Sequence, residues 1–259
     1  MKRRFLSEMD WKLMWPDFLD THDLMFLDGG FATELEHDGH DLRHPLWSAK
    51  LLLEDEAALK SVHYRYLEAG ADCIIAATYQ ATVQGLTALG HTPDQATQIL
   101  LRAVALATET RDQFIASSPN PDRHPLVAAS IGPYGAYLAD GSEFTGDYGL
   151  SRADLRAFHL PRWRILQSSG ADLFACETVP SLLEAEVLAD LFATESRLQG
   201  WISFSCRDGQ HLCDGTPIAE AARLLRDAPG VAAMGINCTA PGHIADLLRC
   251  AREAGYDRP

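Results

Sequence analysis

The stretch GADCIIAATYQAT, residues 70–82, and its later echo SGADLFACETVPS, residues 169–181, set the architecture. Each begins at or beside a glycine suited to the left-handed end of a helix, passes through Ala-Asp, and enters a short apolar run that closes on polar, chemistry-bearing residues. The same alternation of a short β-rich run with a longer amphipathic stretch extends in both directions. The runs are Leu24 to Leu27, Cys73 to Thr78, Leu126 to Ile131, Leu173 to Cys176, Trp201 to Ser205 and Val231 to Ile236. The helical partners span about Glu54 to Ala69, Pro93 to Ile115, Arg152 to Ser168, Ser181 to Ser196, Pro217 to Arg226 and His243 to Ala254. This is the pattern of βα units on a parallel sheet.

Such a series builds either an open doubly wound sheet or a closed (β/α)8 barrel of TIM-barrel type. The nucleotide signatures of the first are missing: no Gly-x-Gly-x-x-Gly turn and no Gly-x4-Gly-Lys-Ser/Thr loop occurs. Every run instead ends in polar or glycine-rich residues, as in Asp28-Gly29-Gly30, Thr78-Tyr79-Gln80, Gly132-Pro133-Tyr134, Glu177-Thr178, Ser205-Cys206-Arg207 and Asn237-Cys238. A barrel brings all these ends to one face, so the barrel is the expected α/β fold. Only about six βα units fit between residues 24 and 254, at about 38 residues each, and eight would need roughly 300. The expected organisation is an N-terminal extension over residues 1 to 22 and a barrel domain over 23 to 259 that lacks its last two units.

Composition narrows the function. The 259 residues carry 36 acidic and 22 basic side chains, a formal charge of −14, which disfavours a nucleic acid partner. No apolar run approaches the roughly 20 residues that cross a bilayer, and the basic start Met1 to Arg4 leads into polar residues instead of a signal core. Six scattered cysteines without a Cys-x-x-Cys pair fit a reducing compartment, so a cytoplasmic location is expected.

Seven segments together resemble the homocysteine S-methyltransferase family, and more closely its bacterial branch that uses S-methylmethionine. They are LDGGFATELE (27–36), LWSAKLL (46–52), ATYQAT (77–82), SIGPYGAYLADGSEFTGDY (130–148), ACETVPS (175–181), DGTPI (214–218) and GINCTAP (235–241), in order over about residues 22 to 250. The resemblance implies a (β/α)8 barrel that transfers a methyl group from S-methylmethionine, or less well S-adenosylmethionine, to homocysteine, forming methionine. It implies zinc held by three cysteines, one ending strand 6 and an adjacent pair in a Gly-Gly-Cys-Cys segment ending strand 8. Cys238 matches the first of these, and the pair has no counterpart here. The chain therefore reads as a C-terminally truncated member or as a variant without the metal site. An inert fragment or binding module is the alternative function, and betaine or selenocysteine as co-substrate a further one.

The resemblance places amino-acid binding at Asp28, Gly29, Gly30, Thr78 and Glu177. A carboxylate there would accept the α-ammonium of homocysteine in charge-assisted hydrogen bonds. A turn-forming Asp-Gly-Gly and a helix N-terminal Glu177 are the competing readings. Tyr134, Tyr137 and Tyr148, with Glu143, are candidates to cradle the sulfonium donor, since cations sit well over aromatic faces, although simple loop packing explains them equally. Trp47 reads either as an aromatic wall or as a buried anchor. Cys206, His211 and Cys213 are weak substitutes for the missing metal ligands. With six units, the sheet edges at the first and last strands would stay open, so the chain is expected to self-associate or need a partner.

Overall fold

The computed structural model describes residues 24–44, 46–120 and 123–259. The expected N-terminal extension, residues 1 to 22, lies outside the described residues. Five parallel strands form one sheet: β1 (Cys73–Ala76), β2 (Leu126–Ile131), β3 (Leu173–Val179), β4 (Gly200–Phe204) and β5 (Val231–Ile236). They lie side by side in chain order, β1-β2-β3-β4-β5. A doubly wound sheet reverses its strand order at a switch point, whereas a barrel never does, so the unbroken order is that of a barrel wall.

The expected first strand is the exception. Leu24 to Leu27 makes only a bridge, Leu27 to Cys73, parallel to β1. The physical reason is Asp28. Its backbone N–H still donates to the Cys73 carbonyl at 3.0 Å, but the next ladder donor, Ile75 N–H, is taken by the Asp28 side chain at 2.8 Å. A carboxylate replaces the backbone carbonyl, and the strand stops there.

The two Gly-Ala-Asp junctions do the same job. Gly70, at φ 112°, ends its helix left-handed, and Gly170, at φ 86°, makes the same left-handed turn three residues after its helix cap at Gln167. Asp72 then accepts from Phe26 N–H at 2.9 Å, and Asp172 from Val127 N–H at 2.8 Å. In each case the aspartate secures the neighbouring strand at its start.

Ten α-helical segments are described: α1 (Phe31–His37), α2 (Leu51–Glu54), α3 (Glu56–Ala69), α4 (Val83–Ala88), α5 (Pro93–Ser117), α6 (Tyr134–Leu138), α7 (Arg152–Leu166), α8 (Leu182–Thr194), α9 (Ile218–Arg226) and α10 (Pro241–Glu253). Side-chain caps start several of them. Thr92 and Gln95 form a capping box on α5, Ser151 and Asp154 another on α7, and Ser181 caps α8. Strand alternation divides the apolar residues into two cores. Ile74, Val127, Ala129, Phe174, Ile202 and Phe204 face the helices, while Cys73, Leu126, Ala128, Leu173, Ala175 and Trp201 pack on the other face.

Candidate active site

Continuing the inner-face alternation by one step along β2 and β3 leads from Ala128 to Ser130 and from Ala175 to Glu177. There the layered packing gives way to a cleft of about 1100 Å³ at the carboxyl ends of the strands. Its wall includes Asp28, Gly29, Gly30, Trp47, Tyr79, Gln80, Glu143, Glu177, Thr178 and Cys238.

Glu177 accepts the Ser130 hydroxyl at 2.7 Å. Burial pushes its carboxyl up to about 7, and the Ser130 bond pulls only partly back. Burial also raises the Asp28 carboxyl well above its ordinary value. The Ile75 N–H opposes that rise, and the charge of Glu177 adds to it. These are two acids whose hydrogen bonds come from neutral donors, in a setting where one negative charge is easier to hold than two. A cation entering the cleft would satisfy both.

The β3–β4 pairing shifts register between Cys176 and Val179. Within that irregularity Thr178 adopts φ 59°, a costly conformation for a β-branched residue. The side chain of Asn237 holds it there. Asn237 Oδ1 accepts from Thr178 N–H at 2.9 Å, and Asn237 Nδ2 donates to Thr178 Oγ1 at 2.8 Å. Thr178 Oγ1 in turn donates to the sulfur of Cys238 at 3.5 Å. Cys238 itself has φ 47° and is exposed at the cleft. Trp47 and Ala139, at φ 49° and 54°, complete the set of left-handed non-glycine residues among those described, and all four line the cleft. Strain of this kind persists only where the surroundings over-determine it.

Other expected site residues are placed differently. Thr78 is fully buried and donates to the Ser130 carbonyl at 2.7 Å, while its neighbour Tyr79 occupies the wall. Tyr134 packs on Tyr137, Tyr148 and Phe158, and Tyr137 on Phe158, with ring centroids 4.9 to 5.6 Å apart, behind the wall. Their loop contributes Glu143 instead. One oxygen of that carboxylate, Oε2, is buried without a hydrogen-bond partner among the described residues. A Cβ at Gly29 would stand 2.9 Å from the Tyr66 hydroxyl, so a larger residue there would push that ring aside.

The expected metal does not fit these residues. Among the described residues no three His, Cys, Asp or Glu side chains are gathered to hold an ion. Cys206 is buried, His211 Nδ1 pairs with Asp208 at 2.9 Å, and Cys213 donates to Ser205 at 3.4 Å, so none of the three joins Cys238. One thiolate does not hold catalytic zinc, which takes three protein ligands. Sequence reading named Tyr79, Thr178 and Asn237 among the strand ends without giving them a role, and singled out nothing at Ser130. The inward period of β2 and the residue before Cys238 were the available signals.

A sequentially ordered parallel sheet with an acid-lined cleft at its carboxyl ends defines an enzyme of the α/β barrel class. Within that class the chain belongs to the homocysteine S-methyltransferase family, whose model matches residues 25–258. It is similar to homocysteine S-methyltransferase YbgG of Bacillus subtilis strain 168, 47% identical over 232 residues that cover 89% of this chain and 74% of that protein. Homocysteine S-methyltransferase of Escherichia coli strain K12 is 47% identical over 86% of this chain and 71% of its own length. The crystal structure of the homocysteine methyltransferase MmuM from Escherichia coli, metallated form, superposes with TM-score 0.85 at 45% identity, covering 90% of this chain and 81% of that one. Among the described residues no helix is long and apolar enough to cross a membrane.

Proposed function

We propose that the cleft binds L-homocysteine by its α-ammonium between Asp28 and Glu177, as acceptor for a methyl group from a sulfonium donor. S-methylmethionine is the preferred donor and S-adenosylmethionine a poorer one. The observation that carries this reading is the pair of half-buried carboxyls bonded to neutral donors, Ile75 N–H and the Ser130 hydroxyl. A bound ammonium would supply the missing positive charge in hydrogen bonds stronger than neutral ones. Gly29 and Gly30 leave room for the amino-acid backbone, and Glu143 offers a further negative charge toward the donor side.

In the transfer, the homocysteine thiol gives up its proton to solvent, and the thiolate sulfur forms a bond to the methyl carbon as the bond from that carbon to the donor sulfur breaks. The donor leaves as a neutral thioether, so no general acid is needed. The chain's own contribution is to align the acceptor and to offer negative charge to a cationic donor. Cys238 is the position at which this chain would contribute a metal ligand, and the described residues supply no full set beside it. Six free cysteines support action in a reducing compartment, the cytoplasm.

The same shortage of ligands favours a second reading, a binding module that retains the amino-acid pocket without the chemistry. Calorimetry with L-homocysteine tests the pocket. Methionine formation from S-methylmethionine, with zinc content measured on the same sample, then separates the two readings. Absence of L-homocysteine binding at millimolar concentration would reject both.

A further inference from the structure

Behind the cleft lies a polar network that the proposed reaction does not use. Arg162, His159 and Glu184 are 1%, 0% and 0% exposed, two of them on α7 and the third on α8. Arg162 donates Nη1 to the Tyr79 carbonyl at 3.1 Å and Nη2 to the Gly132 carbonyl at 2.6 Å. Nη2 also stands 3.2 Å from His159 Nδ1, and His159 Nε2 stands 2.8 Å from Glu184 Oε1. That carboxylate oxygen also accepts from the Tyr134 N–H at 2.7 Å.

The donor and acceptor roles are forced. A guanidinium has only donors, so His159 Nδ1 must be the acceptor, which puts the imidazole proton on Nε2, facing a carboxylate that only accepts. The ring is neutral, and one cation and one anion are joined through it. Burial also favours the neutral imidazole. A burial cost of this size is accepted in proteins where a unique geometry has to be held.

That geometry is the wall of the cleft. Tyr79 and Gln80 follow β1, and Gly132 opens the loop that carries Ala139, Gly141 and Glu143, all of them lining residues. The Tyr79 carbonyl also accepts from Gly132 N–H at 3.2 Å, so Arg162 clamps a junction where two strand ends already meet. Its guanidinium carbon lies 5.6 Å from the ring centroid of Phe158, on which Tyr134 and Tyr137 pack.

We propose that Arg162 is a positioning residue for the amino-acid cleft, aimed by neutral His159 and anchored by Glu184, so that the Tyr79 and Glu143 walls stand at the spacing the ligand needs. The proposal rests on the cleft being the homocysteine site. Its test uses the full chain with His159→Gln, His159→Leu and Arg162→Lys. Glutamine can accept from Arg162 and donate to Glu184, so His159→Gln should bind L-homocysteine within about threefold of wild type, while the other two lose about tenfold or more.

A merely structural role would lower the melting temperature of His159→Leu and Arg162→Lys and leave the affinity of the folded protein unchanged, which overturns the proposal. So does a tenfold loss in His159→Gln, or a nitrogen-15 spectrum of wild type with the proton on Nδ1. Should wild type bind no L-homocysteine, the cleft reading falls. The clamp is then judged by amide exchange at Gly132 and Tyr134: faster exchange in His159→Leu with protection kept in His159→Gln supports it, and equal exchange in all variants overturns it.

Discussion

Glu177 reaches the cleft because β3 keeps its alternation for one two-residue step beyond Ala175 and then breaks register at Thr178. Its titration gives a signed prediction. With the folded carboxyl near 7 against an ordinary 4.5, the uncharged form is favoured by folding, so this group's stabilising contribution is full below 4.5 and is lost as pH rises through about 7. Wild type should therefore lose stability relative to Glu177→Gln across that window, as denaturant midpoints at several pH values would measure. A cationic ligand needs the ionised form, so homocysteine affinity should rise with pH toward 7, by up to about tenfold per pH unit, and Glu177→Gln should flatten that slope. A pH-independent affinity in wild type would contradict the assignment. Asp28→Asn should raise the calorimetric Kd by roughly ten- to hundredfold, from about 1.5 to 3 kcal/mol for a hydrogen bond to a charged group.

At the scale of elements, the loop after β2 is the part whose sequence was hardest to read. Its tyrosines suggested a ligand cradle, yet α6 and the 3-10 turn Ser142–Phe144 fold it back on itself and turn the rings inward onto Phe158. Gly135 permits that fold: a Cβ there would lie 2.3 Å from the Glu143 nitrogen. Gly135→Ala should cost about 1 to 3 kcal/mol by displacing backbone, seen as a lower denaturation midpoint and a weaker ligand affinity, because Glu143 moves with it. Gly242→Ala, with nothing within 4 Å and a place in α10, should be neutral or slightly stabilising.

The regular elements were legible, because period, caps and the Gly-Ala-Asp junctions are local. Asp28, Glu177 and Cys238 were legible as strand-end chemistry, and Glu143 as part of the long loop after β2. The register shift at Thr178 and the linking of Arg162 to Glu184 through His159 were not, since they depend on contacts between separate segments of the chain. Strand alternation turned Thr78 away from the cleft, a one-residue offset that an apolar run cannot reveal.

For the whole molecule, the expected barrel of about six units is a five-stranded wall among the described residues, flanked by the single bridge at Leu27. Beside that bridge Leu24, Phe26 and Leu27 are 67%, 62% and 45% exposed. The opposite edge is partly occupied: Met234 N–H donates to the Pro259 carbonyl at 3.1 Å and Arg258 to the Val231 carbonyl at 2.8 Å. Exposed apolar residues on an unpaired edge favour association. Sedimentation of this chain should show mass rising with concentration, and a monomer at every concentration would argue otherwise. Zinc measured after purification should fall well short of one ion per chain.

The left-handed residues around the cleft bear on any effort to harden this protein. Ala139 is exposed and has only a methyl to lose, so Ala139→Gly would release about 1 to 2 kcal/mol of backbone tension and make a tempting gain in heat tolerance. Thr178 and Cys238 offer the same relief only by giving up the hydroxyl and the sulfur that meet there. A campaign guided by melting temperature alone would thus drift toward a sturdier chain with a blunted pocket.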